Sequence, residues 1–217
     1  MLALCIISFS LLSTVLAAPL SCQDLLKPLN STDYILGKWT LIAQANDLPG
    51  AREVVAQKMI NSWTHFTPGT QNNTIDGLEV ANIDGQCFSV NATLVIENNK
   101  FTKPLSVPMT ETLLHTCSDC LLLHTEISLV DNYSQLNLYS KRKELSPVEL
   151  DVFKKQVDCL NMPPAVFTKP ERDPCPDPRD DNRNVLDMKK ILGDNFDYKK
   201  FLERIINEKI LEGNKAN

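Results

Sequence analysis

The chain has 217 residues, a formal net charge of −5 and 43% hydrophobic residues, as is typical of a globular protein. Its length suits one domain with an extension better than two full domains. No block of Lys and Arg stands out, which argues against nucleic acid as a partner because phosphate binding requires clustered basic side chains.

The first residues have the features of a secretory signal peptide. Met1–Leu16 carries no charged side chain, and the small residues Ala17-Ala18 provide a cleavage site. The apolar stretch is short, and no other segment approaches the roughly 20 apolar residues that span a bilayer, so a stable membrane anchor is disfavoured. We predict an exported protein with a signal peptide at 1–18, a main domain at 19–175 and a charged, partly helical extension at 176–217.

A series of predicted strands begins at Gly37-Lys38-Trp39. Glycine allows a tight turn into the first strand, and a large indole can plug the closed end of a small barrel. Segments rich in β-branched and apolar residues then recur, separated by turn residues such as Asp84-Gly85, which indicates a barrel or a sandwich. The predicted strands are 38–45, 59–66, 78–83, 87–97, 101–107, 112–116, 121–129 and 135–140.

A helix is predicted after the strands. Ser146, Pro147 and Glu149 form a capping box with proline at the first helical position. A helix after eight strands favours a barrel flanked by a helix over an immunoglobulin-like sandwich. The apolar stripe that can lie against the sheet consists of Leu150, Phe153, Val157 and Leu160.

The composition changes after Cys175. Residues 176–182 are typical of an exposed linker, and a second apolar stripe follows among charged residues. Acidic and basic residues are mixed across that stripe, which favours a helix resting on the barrel over one that binds a membrane surface. The stripe consists of Tyr198, Phe201, Leu202, Ile205 and Ile206.

Cysteines and sequons agree with export. An even number of cysteines in an oxidising compartment predicts disulfides, although six cysteines allow 15 pairings that the spacing leaves open. Four N-x-S/T sequons favour a glycoprotein. The six cysteines are Cys22, Cys87, Cys117, Cys120, Cys159 and Cys175, and the four sequons begin at Asn30, Asn72, Asn91 and Asn132.

Several of these features occur together in one order: Cys22, Ile35-Leu-Gly-Lys-Trp-Thr-Leu-Ile-Ala43, Phe66-Thr-Pro68, Gln86-Cys87 with Asn91-Ala-Thr93, Leu138-Tyr139, Asp158-Cys159-Leu160 and Cys175. In this combination the chain resembles lipocalins of the alpha-1-acid glycoprotein-like group, which includes teleost plasma proteins that bind tributyltin or saxitoxin and tetrodotoxin. The resemblance implies a mainly β fold: an eight-stranded up-and-down antiparallel lipocalin barrel with a flanking α-helix and a helical C-terminal extension.

The resemblance also implies disulfide pairs and a closed barrel end. It pairs Cys22 with Cys159 and Cys87 with Cys175, which leaves Cys117 to bridge Cys120. A basic residue on the last strand, Lys141 or Arg142, is expected to cover Trp39, with Gly37 leading into the strand; an ordinary exposed charge is the alternative. Zinc binding near Cys117 and Cys120 would require further ligands such as His115 and His124, so neither a metal nor another cofactor is predicted.

Strand alternation and the resemblance together predict a ligand pocket inside the barrel. Trp63 and His65 are expected to face outward. His124 is included as a pocket donor, with a surface histidine as the alternative. Core packing is the alternative for every pocket residue, and a register slip of one residue would reverse the set. The other predicted pocket residues are Ile60, Thr64, Phe66, Phe88, Val90, Asn137 and Tyr139.

The sequence therefore favours a secreted, monomeric plasma carrier that binds a small lipophilic or amphiphilic ligand such as a steroid, a drug-like base, an organotin or a toxin. No Ser/His/Asp spacing, paired-carboxylate motif or phosphate loop indicates catalysis. One alternative is an enzyme of the prostaglandin D synthase type, which would require an activated cysteine in the barrel. Another is an immune-modulating glycoprotein.

Overall fold

The computed structural model describes residues 20–103, 107–129, 131–169, 174–180, 184–193, 197, 199–200 and 203, without the side chains of Asp33, Val54 and Ile60. The predicted signal peptide and the apolar stripe of the predicted C-terminal helix lie outside the described residues. Within the described ranges, no helix is both long and apolar enough to span a bilayer.

Eight antiparallel strands form a closed barrel, which confirms the predicted architecture. Each strand pairs with the next along the chain, and the eighth pairs with the first to close the ring. The strands are β1 (Gly37–Asn46), β2 (Met59–Pro68), β3 (Thr74–Ile83), β4 (Gln86–Glu97), β5 (Lys100–Thr102), β6 (Met109–Leu114), β7 (Cys120–Ser128) and β8 (Asn132–Ser140).

The observed strands differ from the predicted ones mainly around β5 and β6. β5 covers only the beginning of the predicted strand at 101–107, and it is joined to each of its neighbours by three residue pairs, whereas β3 and β4 share ten. β6 ends at Leu114 rather than at 116. The reason is that His115 N donates a hydrogen bond to Lys27 O, outside the sheet.

A β-bulge in β1 changes which side chains enter the barrel. The pairing with β8 shifts between Leu41 and Ala43, so strict alternation is interrupted there. Before the bulge, Trp39 and Leu41 belong to the core inside the barrel. After it, Gln44 faces inward and donates a hydrogen bond to Asn137 Oδ1.

The flanking helix α3 (Pro147–Cys159) begins at the predicted capping box. Ser146 Oγ accepts a hydrogen bond from Glu149 N, and the Glu149 carboxylate accepts one from Ser146 N at 2.8 Å. Phe153 and Val157 are buried in a second apolar cluster between this helix and the outer surface of the barrel. Burial of this apolar stripe positions α3 on the barrel wall.

Shorter helices lie at the edges of the barrel. The first, α1 (Cys22–Leu25), packs beside α3, and a disulfide joins Cys22 to Cys159. Closing so long a loop stabilises the fold by about 5 kcal/mol through lost chain entropy. The remaining described helices are a 3-10 turn at Asp33–Ile35, α2 (Ala51–Gln57) and α4 (Met188–Leu192).

The chain after α3 returns to the outer surface of the barrel. β9 (Val166–Phe167) pairs with β1, and β10 (Val185–Asp187) pairs in parallel with the beginning of β4. Between these strands, Cys175 forms a disulfide with Cys87, and its carbonyl oxygen accepts a hydrogen bond from Trp63 Nε1 at 2.9 Å. This disulfide fastens the extension to the barrel.

The predicted linker at 176–182 is only partly a free linker. Arg179 forms an ion pair with Asp177 and donates a hydrogen bond to His65 Nδ1 at 2.7 Å on the barrel wall. Pro176, Arg179 and Asp180 are exposed, as expected of a linker, and Arg179 contacts a partner on the sheet that composition does not reveal.

Candidate ligand-binding site

One end of the barrel is closed by Trp39, which is fully buried. Its indole Nε1 donates a hydrogen bond to Ile35 O at 2.6 Å. Lys141 Nζ lies 4.6 Å from the centroid of the indole ring, within range of a cation–π interaction. Arg142 instead forms ion pairs with Asp119 and Glu149. Gly37 enters β1 at a φ of +107°, which favours glycine. These contacts form the closed end of the site.

Above the closed end lies a cavity of about 210 Å³. Most small-molecule pockets are larger, at roughly 300–1,000 Å³, so this cavity suits a small ligand. Its lining residues are Thr64, Phe66, Gly77, Glu79, Val90, Ala92, Leu94, Lys103, Met109, Glu111, Leu123, Thr125, Gln135, Asn137 and Tyr139.

The floor of the cavity is apolar. Phe66, Leu94 and Leu123 line it and also belong to the core cluster that surrounds Trp39. Tyr139 joins the same cluster, and burial raises the pKa of its phenol well above the ordinary value. This phenol therefore stays neutral and acts as a hydrogen-bonding group at physiological pH.

Three charged side chains line the cavity. Lys103 Nζ lies 2.8 Å from Glu111 Oε1, and both side chains are largely buried. Glu79 lines the same cavity from β3. Burial alone would lower the pKa of Lys103, but the ion pair with Glu111 and the nearby Glu79 carboxylate raise it above its ordinary value. The site therefore contains one permanent cation and two carboxyl groups.

Glu79 differs from its partners because it faces open space. The carboxyl lies inside the barrel, where its side chain is exposed to the cavity. Burial raises the pKa of its carboxyl; Lys103 lowers this pKa and Glu111 raises it, and the net shift is upward. Lys103 and a hydrogen bond with Ser62 compensate this carboxylate only in part, so a cation that enters the cavity would stabilise it further.

Amide side chains form a network beside the charges. Gln44 Nε2 donates to Asn137 Oδ1 at 2.9 Å, and Asn137 Nδ2 donates to Tyr139 Oη at 3.3 Å. A third hydrogen bond runs from Asn46 Nδ2 to Gln135 Oε1 at 2.9 Å. The network orients polar groups that can hydrogen-bond to a ligand.

The structure separates the predicted pocket residues into groups. Thr64, Phe66, Val90, Asn137 and Tyr139 all line the cavity. Phe88 lies on the same face of β4 as Val90 but is not among the lining residues. The side chain of Ile60 lies outside the described structure.

His124 requires a correction, because it is not in the pocket. It alternates along β7 with Leu123 and Thr125, which line the cavity, so His124 lies on the outward face. Burial there lowers the pKa of its imidazole. His65 also faces outward, where it contacts Arg179, and Trp63 packs beneath the extension.

Sequence reasoning missed Glu79, Lys103 and Glu111. Cross-strand register contained the signal for Glu79, because Thr64 and Val90 are its direct partners on β2 and β4. Residues that pair directly across neighbouring strands share a face, so an inward Thr64 requires an inward Glu79. Glu111 pairs with Phe101 and Thr125, which are not predicted pocket residues, and Lys103 follows the end of β5, so register gives no comparable signal for these two.

The cysteines form Cys22–Cys159, Cys87–Cys175 and Cys117–Cys120, the pairs that the resemblance implies. Cys117, Asp119 and Cys120 lie close together, but both sulfur atoms are taken up in the disulfide. All four sequon asparagines are exposed, which is compatible with their modification.

Comparisons with known proteins identify the fold. No protein-family model matches the sequence, and no curated protein does. Among solved structures, the chain is similar to a siderocalin, Ex-FABP, described as functioning through dual ligand specificities, with 15% identity over 62% of this chain and 93% of the other and a TM-score of 0.54. It is also similar to the odorant-binding protein OBP1, with 14% identity over 67% of this chain and 97% of the other and a TM-score of 0.55.

Together with the closed eight-stranded barrel, these similarities define the class: the chain has a lipocalin fold. At these identities the similarity establishes the fold alone. The chemistry of the ligand must therefore be argued from the cavity itself.

Proposed function

We propose that this protein is a secreted carrier of the alpha-1-acid glycoprotein-like kind that binds a small amphiphilic compound with a positively charged group inside its barrel. The observation that carries the proposal is Glu79, a carboxyl that faces the cavity above an apolar floor. A protonated drug-like base has both complementary parts.

The apolar part of the ligand accounts for most of the expected affinity. Contact with Phe66, Leu94 and Leu123 removes ligand surface from water, at about 25 cal/mol for each Å² buried. The cavity volume of about 210 Å³ favours compounds smaller than a steroid.

Charge determines which small compounds are preferred. Lys103 pairs directly with Glu111, so it compensates the Glu79 carboxylate only in part. A ligand ammonium or comparable cation near Glu79 forms a charge-assisted interaction inside the barrel. A neutral sterol or a fatty acid adds no positive charge beside that carboxylate.

Cysteine pairing supports a carrier over an enzyme of the prostaglandin D synthase type. Such an enzyme requires a free thiol in the barrel. The six cysteines among the described residues are all joined in disulfides. We therefore assign no catalytic residue.

Calorimetric titration with three matched probes tests the proposal: phenethylamine, phenethyl alcohol and phenylacetate at pH 7.4. We expect the amine to bind most tightly and the anion most weakly. Glu79→Gln should weaken amine binding by about tenfold or more, because the charge-assisted bond is lost, and should leave alcohol binding unchanged.

Glu126→Gln is the matched control, since Glu126 is exposed on the outward face of β7. It should bind all three probes as the wild type does. Failure of every probe to bind would contradict the carrier proposal. Equal affinities for the three probes would contradict the charge preference.

Export and oligomeric state are tested on protein secreted from eukaryotic cells. The mature chain is expected to begin near residue 19 and to elute as a monomer. Retention of the first 18 residues in secreted protein would contradict the predicted signal peptide.

A further inference from the structure

A groove outside the barrel lies between the C-terminal extension and the sheet. Its volume is about 520 Å³, more than twice that of the internal cavity. Leu78 and Ser89 are on its sheet side, and Pro178, Leu186 and Ile191 are on the side of the extension. The groove is separate from the barrel interior, because Leu78 and Ser89 lie on the outward faces of β3 and β4.

Asn91 lines this groove. It lies on the outward face of β4, its side chain is exposed, and it begins the sequon Asn91-Ala92-Thr93. The other three sequon asparagines do not line the groove. A glycan at Asn91 would thus be attached at the wall of a preformed space.

The chemistry of the groove matches that of a sugar. Arg179, Asp187 and Lys190 offer hydrogen-bonding groups for sugar hydroxyls. Leu186 and Ile191 are large apolar side chains that remain 43% and 54% exposed, so they offer surface to the apolar face of a sugar ring or to an N-acetyl methyl group. A sugar could therefore contact both the hydrogen-bonding and the apolar side chains of the groove.

Among the described residues 184–193, the extension is attached mainly by short elements. β10 is joined to β4 by three residue pairs, and α4 is one short helix, Met188–Leu192. A segment with so little burial opens easily unless something covers its exposed apolar residues.

We propose that the N-linked glycan of Asn91 lies in this groove and that its first sugars hold β10 and α4 against the barrel. Attachment joins Asn91 Nδ2 to the anomeric carbon of a lipid pyrophosphate-linked oligosaccharide, with the lipid pyrophosphate as leaving group and one amide proton released. The proposal rests on the Asn91 sequon and is independent of what the barrel binds.

Hydrogen–deuterium exchange of the secreted, glycosylated protein tests this role, after mass spectrometry of the glycopeptide has measured occupancy of Asn91. In Asn91→Gln, backbone amides of residues 185–192 should exchange about tenfold faster, because apolar contacts with Leu186 and Ile191 are lost. The matched control is Asn132→Gln, which removes an exposed sequon at the beginning of β8 and should leave this exchange unchanged.

Enzymatic trimming tests the same point without a substitution. An endoglycosidase that leaves one N-acetylglucosamine on Asn91 should preserve part of the protection at 185–192, and an amidase that removes the whole glycan should abolish it. An unoccupied Asn91, or equal exchange in the glycosylated and the fully deglycosylated protein, would overturn the proposal.

Discussion

The two ends of the barrel interior differ in composition and in what they contribute. The closed end, around Ile35, Trp39 and Leu41, is apolar and buried. The cavity end contains Glu79 and the Lys103–Glu111 ion pair. Packing at the first end stabilises the fold, whereas the second end places charges where burial is unfavourable.

Tyr139 lies where the two ends meet. Its ring belongs to the closed-end cluster, and its hydroxyl accepts a hydrogen bond from Asn137 in the polar network. One strand thus contributes to both environments through consecutive inward residues. The difference between the ends shows that the inward positions of one strand can form a core where they carry apolar side chains and a selective pocket where they carry polar or charged ones.

Removing the buried cation Lys103 should have the largest effect on the free energy of unfolding. Lys103→Met leaves Glu111 and Glu79 without their shared positive partner, and we expect the free energy of unfolding to fall by about 3–5 kcal/mol. Chemical denaturation at pH 7, followed by tryptophan fluorescence, measures the change. Lys100→Met, at an exposed position of β5, is the control. A loss of less than about 1 kcal/mol would mean that the ion pair behaves like a surface pair.

A smaller effect of opposite sign is expected at Glu79. Its pKa is raised in the folded protein, so ionisation opposes folding at neutral pH, and this cost disappears as the pH falls below the ordinary value of 4.5. Glu79→Gln should therefore melt at a higher temperature than the wild type at pH 7, and the difference should shrink toward pH 4. Calorimetry across this range measures it. A difference that grows toward acid pH would refute the assignment.

The smallest effect is expected at the closed end. Lys141→Ala removes the cation above Trp39 and should reduce the free energy of unfolding by about 0.5–1 kcal/mol, with a change in tryptophan emission. Lys143→Ala, an exposed neighbour in the same basic run, should change neither quantity. Identical emission spectra for the two variants would exclude the cation–π contact in solution.

Local sequence signals predicted most of the architecture. Segments rich in β-branched and apolar residues, separated by turn residues, identified the barrel strands. The capping box at Ser146 located the beginning of α3, because its two partners lie only three residues apart in the sequence. By contrast, β10 is three residues long and pairs in parallel with a distant strand, so no local pattern reveals it.

The chemistry of the pocket was less predictable than its position. Charged residues in a half-buried strand normally face water, so alternation alone assigns Glu79 and Glu111 to the surface. Inside the barrel they share the cavity with Lys103, which follows β5 and pairs with Glu111. Which face Glu79 occupies follows from the register of β3 with β2 and β4, which the pattern within β3 does not reveal.

The brevity of β5 has a consequence for motion. This strand completes the ring with three residue pairs on either side, while β3 and β4 are joined by ten. A closed sheet opens most easily where neighbouring strands share the fewest residue pairs, because fewer backbone hydrogen bonds must break together. We expect opening of the barrel to start at β5, next to Lys103, the cation that pairs with Glu111.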